Sequence, residues 1–161
     1  MQVQTQTDNT DQILGDAMAH LGSGGVMGDF AGLDARDYEA VYTLGHNFYA
    51  QGKYLEAMRI FSYLVTNNHL ERRFVNAFAS SLHMVGGYKD AINYYGIAYA
   101  MDPRDSAPTF HACECLIAMG LKAEAKEGLG LIIRRCTAPE QSEIRERSQA
   151  LLALLNRPQA K

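Results

Sequence analysis

The segment His111-Ala112-Cys113-Glu114-Cys115 is where this chain comes nearest to reactive chemistry. Imidazole and thiolate side chains are ligands for tetrahedral zinc and partners in cysteine nucleophiles. Spacing argues against both. The segment reads as helix, where residues two apart point ~200° away from each other, so Cys113 and Cys115 cannot converge on one ion. His111 and Cys115, at i and i+4, could touch, but the expectation is buried thiols and no metal. The odd set of Cys113, Cys115 and Cys136 does not suit a disulfide framework and points to a reducing compartment. His20, His46, His69 and His83 follow no motif spacing, and no serine–histidine–acid set stands out. Gly22-Ser23-Gly24-Gly25 follows a helical pattern and lacks a Lys-Ser/Thr, so it does not read as a phosphate-cradling loop. No catalytic residue is assigned, no cofactor is expected, and the chain is read as a non-enzyme.

Bulk properties narrow the classes further. The 161 residues suit one cooperative unit. Fifteen basic and eighteen acidic residues, spread along the chain, give a net charge of -3, so no basic face offers itself to nucleic acid. Hydrophobic residues at 47%, with nine Tyr and six Phe, can fill a core. Residues 1–11 lack the basic and apolar regions of a secretory signal, and no apolar run approaches the ~20 residues of a membrane span. Cytoplasmic residence and no membrane insertion are the expectations.

What must position these residues emerges from self-similarity at an offset of 34. Small residues recur at Gly45, Ala79 and Cys113, and bulky apolar ones follow at Phe48, Leu82 and Leu116. Gly52, Gly86 and Gly120 come next, then Ala57, Ala91 and Ala125, then Phe61, Tyr95 and Leu129, and last Leu64, Ala98 and Ile132. Small side chains permit close helix crossing, and glycine ends a helix in the left-handed conformation without a Cβ penalty. Asp102-Pro103 and Pro108 separate the second and third copies. These columns define three tandem tetratricopeptide repeats at 38–71, 72–105 and 106–137, an all-α solenoid spanning 37–137. The predicted helix pairs are 38–51 with 54–67, 72–85 with 89–101, and 107–119 with 123–135.

The flanks follow from the same patterning. Residues 1–10 read as a disordered tail, and 11–36 as an N-terminal helix with a glycine-rich segment. Ile13, Leu14, Ala17, Met18 and Leu21 share one face of that helix. Such a face either caps the solenoid or meets a second copy, making these five the dimerisation candidates. Residues 138–161 read as a capping helix and tail, with Ile144, Ser148, Leu151, Leu152 and Leu155 inward and Glu143, Arg145, Glu146, Arg147 and Gln149 outward.

In a stacked solenoid the first helix of each pair lines a concave groove. The fifth, ninth and twelfth positions of the repeats give Tyr42, His46 and Tyr49, then Asn76, Ser80 and His83, then Phe110, Glu114 and Ile117. Aromatic and apolar groups at the ends with polar groups between suit an extended peptide held by apolar anchors and backbone hydrogen bonds. The cationic clamp with which some tetratricopeptide proteins hold a chain-terminal carboxylate is not matched. Tyr42, His46, Ala77, Ala107 and His111 stand at the comparable places.

Several strings are more specific than the repeat. They are Tyr42-Thr43-Leu44, Tyr49-Ala50-Gln51-Gly52-Lys53-Tyr54 with Glu56-Ala57, and Pro108-Thr109-Phe110-His111-Ala112-Cys113-Glu114-Cys115-Leu116. In these the chain resembles the class II translocator chaperones of type III secretion systems, the SycD/LcrH family, over about residues 14–155. The resemblance implies a cytoplasmic chaperone of a Gram-negative bacterium that keeps two hydrophobic, membrane-inserting translocator proteins soluble before export. An extended N-terminal segment of the client would dock in the groove, and the chaperone could be a homodimer. A repeat-built adaptor in a secretion or pilus assembly is the competing reading. His46 stands where relatives often carry a larger apolar or aromatic group, so anchor preferences are expected to differ.

Overall fold

The computed structural model describes residues 2–157, with side chains from 12 onward, and every regular element among them is helical. The three repeats are α3 (Ala35–Ala50) with α4 (Tyr54–Asn67), α5 (Arg72–Met84) with α6 (Tyr88–Met101), and α7 (Ala107–Ala118) with α8 (Lys122–Arg135). Before them come α1 (Gln2–Gly22) and the short α2 (Met27–Phe30); after them come a single 3-10 turn, Pro139–Gln141, and α9 (Ser142–Leu155). From α3 to α9 each helix packs on the next, the antiparallel stacking that a 34-residue period demands.

The turn glycines end the first helix of each repeat as expected. Gly52, Gly86 and Gly120 have φ of 75°, 84° and 80°, and the following amides of Lys53, Gly87 and Leu121 donate back to the carbonyls of Phe48, Leu82 and Leu116. The second helices start and stop close to the predicted places, but α3 begins three residues earlier than its periodicity indicated. Asp34 caps it, accepting from the Arg36 and Asp37 amides, while the Asp37 carboxylate accepts from the Asp34 amide.

Three buried clusters run along the solenoid axis. The first gathers Tyr38, Ala57, Phe61, Leu64 and Phe74, the second Ala79, Leu82, Ala91, Tyr95 and Cys115, and the third Phe110, Cys113, Ala125, Leu129, Ile132 and Cys136. The two cysteines of the HxCxC string thus face different clusters. Burial pushes the Cys113 thiol up to about 11 and the Cys115 thiol up to about 12. Arg72 ties the start of the second repeat to its end, donating from Nε to the Ala98 carbonyl (2.9 Å) and from Nη2 to Asp105 (2.8 Å). On the outer side, Ile144, Leu151, Leu152 and Leu155 of α9 cover the third cluster, and Ser148 is buried with its hydroxyl donating to the Ile144 carbonyl.

The N-terminal end departs from expectation at its start. The helix begins at Gln2, so residues 2–10, read from their polarity as a disordered tail, continue α1. No glycine or proline interrupts 2–14, and polarity alone does not break a helix. In addition, α1 has no extensive packing on the repeats: α2 lies on α4 at that end instead. Ile13, Leu14 and Met18 are therefore 61%, 60% and 64% exposed, which leaves the apolar face of α1 uncovered.

Candidate functional site

The concave wall begins with an aromatic stack whose geometry the repeat sets. Gly45 on α3 faces Phe61 on α4, and with no side chain between them the Phe61 ring reaches Tyr42, centroids 5.7 Å apart. Tyr42 in turn packs on Phe74 of the next repeat, again at 5.7 Å. Above this floor opens a cavity of about 350 Å³ lined by Tyr42, His46, Tyr49, Phe61, Arg73, Asn76, Ala77 and Ser80. A space of that size between two first helices accepts an apolar side chain and part of its backbone.

Five of the nine groove candidates, Tyr42, His46, Tyr49, Asn76 and Ser80, meet in that cavity. His83 and Glu114 meet in a second group beside it. The Tyr95 hydroxyl lies 3.4 Å from Ser80 Oγ, the His83 and His111 rings pack on Tyr95 at 6.3 and 5.6 Å, and His111 Nδ1 is 2.7 Å from Glu114 Oε2. Burial lowers the His83 pKa below its ordinary 6.5, with the neighbouring Glu114 opposing the shift. Burial by itself would raise the pKa of Glu114. The His111 hydrogen bond and charge, backed by His83 and Arg147, outweigh it and hold the carboxyl below 4.5.

Phe110 and Ile117 do not line that cavity. Phe110 is only 3% exposed in the third core cluster, and the Arg147 guanidinium of α9 covers its ring at 4.5 Å. Ile117 packs on the same cluster. At the fifth position the register that exposes Tyr42 and Asn76 fails in the third repeat, where α9 covers Phe110, whereas Ile117 is half-buried like Tyr49 and His83.

Two participants carry no signal in the register. Phe61 belongs to the second helix and forms the cavity floor only because position 45 is glycine. Arg73, the second residue of its repeat, lies over the Tyr42 ring at 5.1 Å, and its guanidinium is held by Glu39 at 3.1 Å and Glu71 at 3.3 Å. The Glu39 hydrogen bond is the main cause of a raised Arg73 pKa, so the charge is permanent. A cation therefore does line the groove, but two carboxylates already hold it, which keeps it from acting as an open anion clamp.

Comparison with known proteins fits this geometry. A tetratricopeptide-repeat profile matches residues 74–105. Low calcium response locus protein H of Yersinia pseudotuberculosis is 30% identical over 151 residues, 93% of this chain and 90% of that protein. A type III secretion complex from Aeromonas hydrophila contains a chain 30% identical, with a TM-score of 0.80 over 87% of this chain and 94% of that one. The Yersinia enterocolitica type III secretion chaperone SycD, solved with a peptide of the translocator YopD, is 32% identical, with a TM-score of 0.69 over 76% and 94%. SycD has also been solved as an alternative dimer. This chain belongs to the family of type III secretion translocator chaperones.

The proteins of this family are chaperones, not enzymes. The groove of this chain is asymmetric. One end is an aromatic cavity, and the other is a half-buried imidazole and carboxylate group. Among the described residues no helix is long and apolar enough to cross a membrane.

Proposed function

We propose that this chain is a cytoplasmic holding chaperone that keeps the hydrophobic translocators of a type III secretion system soluble before export, gripping an extended client segment along its concave face. The observation that carries this reading is the cavity between α3 and α5, floored by Phe61 and Tyr42 and walled by Tyr49 and Ala77. A pore-forming client exposes apolar segments that aggregate or insert early. Covering such a segment draws the client into the soluble complex by mass action, and no nucleotide is needed.

That a relative, SycD, was solved with a peptide of the translocator YopD supports a translocator segment as the client, and the cavity is where we place it. The exposed face of α1, continuous with Met27 and Phe30 around a cleft of about 520 Å³, supports a homodimer. That SycD has been solved as a dimer supports a homodimer here, and the face of α1 is the surface we propose for it.

Two substitutions test the groove. Tyr49→Ala removes a wall, and Ala77→Leu fills the cavity from α5. Both are expected to keep the helical circular dichroism of the parent and to lose at least tenfold in affinity for a translocator peptide by calorimetry. Unchanged affinity in both variants would place the client elsewhere.

A further inference from the structure

The groove's second group has a property that the apolar cavity lacks. Glu114 presents a half-buried carboxylate on α7, with only Oε2 engaged, by His111. Oε1 has no protein partner among the described residues, and no buried side-chain oxygen or nitrogen among them lacks a partner, so Oε1 is open to solvent. Its surroundings are polar and aromatic: His111 on its own helix, His83 on α5, the ring of Tyr95 on α6, and Arg147 reaching over from α9. Ser80 joins this group to the cavity, since it lines the cavity and meets the Tyr95 hydroxyl.

A client that covers this surface strips water from the Glu114 carboxylate. Removing water from a charge without supplying a donor is strongly unfavourable, whereas a cationic donor restores the lost interaction. We propose that Glu114 is a specificity-determining residue of the groove, and that it selects a client segment carrying a lysine or arginine beside its apolar anchor. This rests on the concave groove being the client site. It adds a chemical requirement which the apolar cavity does not impose.

The spacing follows from the fold. The cavity lies between α3 and α5, and Glu114 sits on the first helix of the next repeat. The step from the cavity to the next first helix is on the order of the spacing of neighbouring helices, about 10 Å, which an extended chain covers in about three residues. The client motif is thus an apolar residue with a basic one about three positions away. An acidic residue at that second position is disfavoured by like charge.

The test is selection of a random twelve-residue display library on the full chain and, in parallel, on its Glu114→Gln variant. Peptides selected on the parent should share an apolar anchor with Lys or Arg about three positions from it. The variant should keep the anchor and lose most of the basic preference. Calorimetry on the parent chain gives a readout without any variant: a selected peptide should weaken about tenfold when its basic residue becomes glutamine, the scale of a partly buried charge pair. Selection of the anchor without a basic preference, or a glutamine peptide that binds equally well, overturns the role of Glu114 and leaves the groove intact. Selected peptides that bind Tyr49→Ala as well as the parent overturn the groove and this inference together.

Discussion

Gly45→Ala gives the sharpest test of how the anchor cavity is built. A methyl group at position 45 would lie 2.6 Å from Phe61 Cε1 and 2.9 Å from Cζ, well inside ordinary contact, so the ring must move by about 1 Å. Phe61 is 1% exposed and wedged among Ala57, Leu64 and Phe74, which leaves the cavity as its outlet. Overpacking of this kind costs about 1–3 kcal/mol. Replacing a mid-helix glycine with alanine returns roughly 1 kcal/mol, so the net loss is about 0–2 kcal/mol. Gly96→Ala on α6 isolates the packing part, because nothing lies within 4 Å of a Cβ there and only the helix gain applies. The two variants should differ by about 1–3 kcal/mol, with each kcal/mol worth ~2–4 °C in a chain of this length. Thermal and urea unfolding measure that gap, and peptide calorimetry measures the cavity. Gly45→Ala should bind client peptide more weakly, and Gly96→Ala should bind it normally. If both variants gain equal stability and bind equally, the close approach of α3 to Phe61 and the cavity built on it are refuted.

Three further outcomes follow from the same structure. His83 has a lowered pKa in the fold, so its neutral form is the folded form; that stability is complete above pH 6.5 and declines as pH falls through the folded value. NMR titration should give a His83 midpoint below 6.5, and the urea midpoint should drop between pH 7 and pH 5 by less in His83→Asn than in the parent. Cys113 and Cys115, with thiols raised to about 11 and about 12 and no exposed surface, should react with a thiol reagent at pH 8 only on unfolding; rapid labelling of the native chain would contradict their core positions. If the proposed homodimer forms through α1, the parent should sediment as two chains and Met18→Glu on the exposed face as one, with peptide affinity unchanged; equal masses for the two would remove α1 from that role.

The repeat was legible because each of its columns answers a local steric demand. A glycine at φ near 80° or a small residue at a helix crossing leaves the same mark in every copy, so the turn positions and the second-helix bounds could be read from the period. The groove was legible only as far as the copies remain equivalent. Tyr42 to Tyr49 and Asn76 to Ser80 share a cavity, but Phe110 and Ile117 occupy matching positions in a repeat that a further helix covers. At Phe110 burial is decided by α9, more than thirty residues away, whose Arg147 covers the ring. Arg73 was hidden for a related reason: its place is set by Glu39 of the preceding repeat, a pairing that no single helix pattern encodes. The start of α1 was missed because the polar composition of residues 2–10 was read as disorder, although no glycine or proline breaks the helix there.

A holding chaperone must also let go, and the groove's mixed chemistry bears on both steps. One cavity of about 350 Å³ seats a single anchor of leucine size, which contributes about 1.5–3 kcal/mol when fully buried. Ordering an extended client offsets several kcal/mol, so this anchor alone cannot hold the segment. The balance must come from contacts that depend on their surroundings, such as a charge pair at Glu114 and hydrogen bonds at Asn76, Ser80 and His83. Polar contacts of this kind weaken when water or a competing partner reaches them. With affinity divided in this way, mass action holds the segment while free client is present and releases it, without nucleotide hydrolysis, as export draws on the free client.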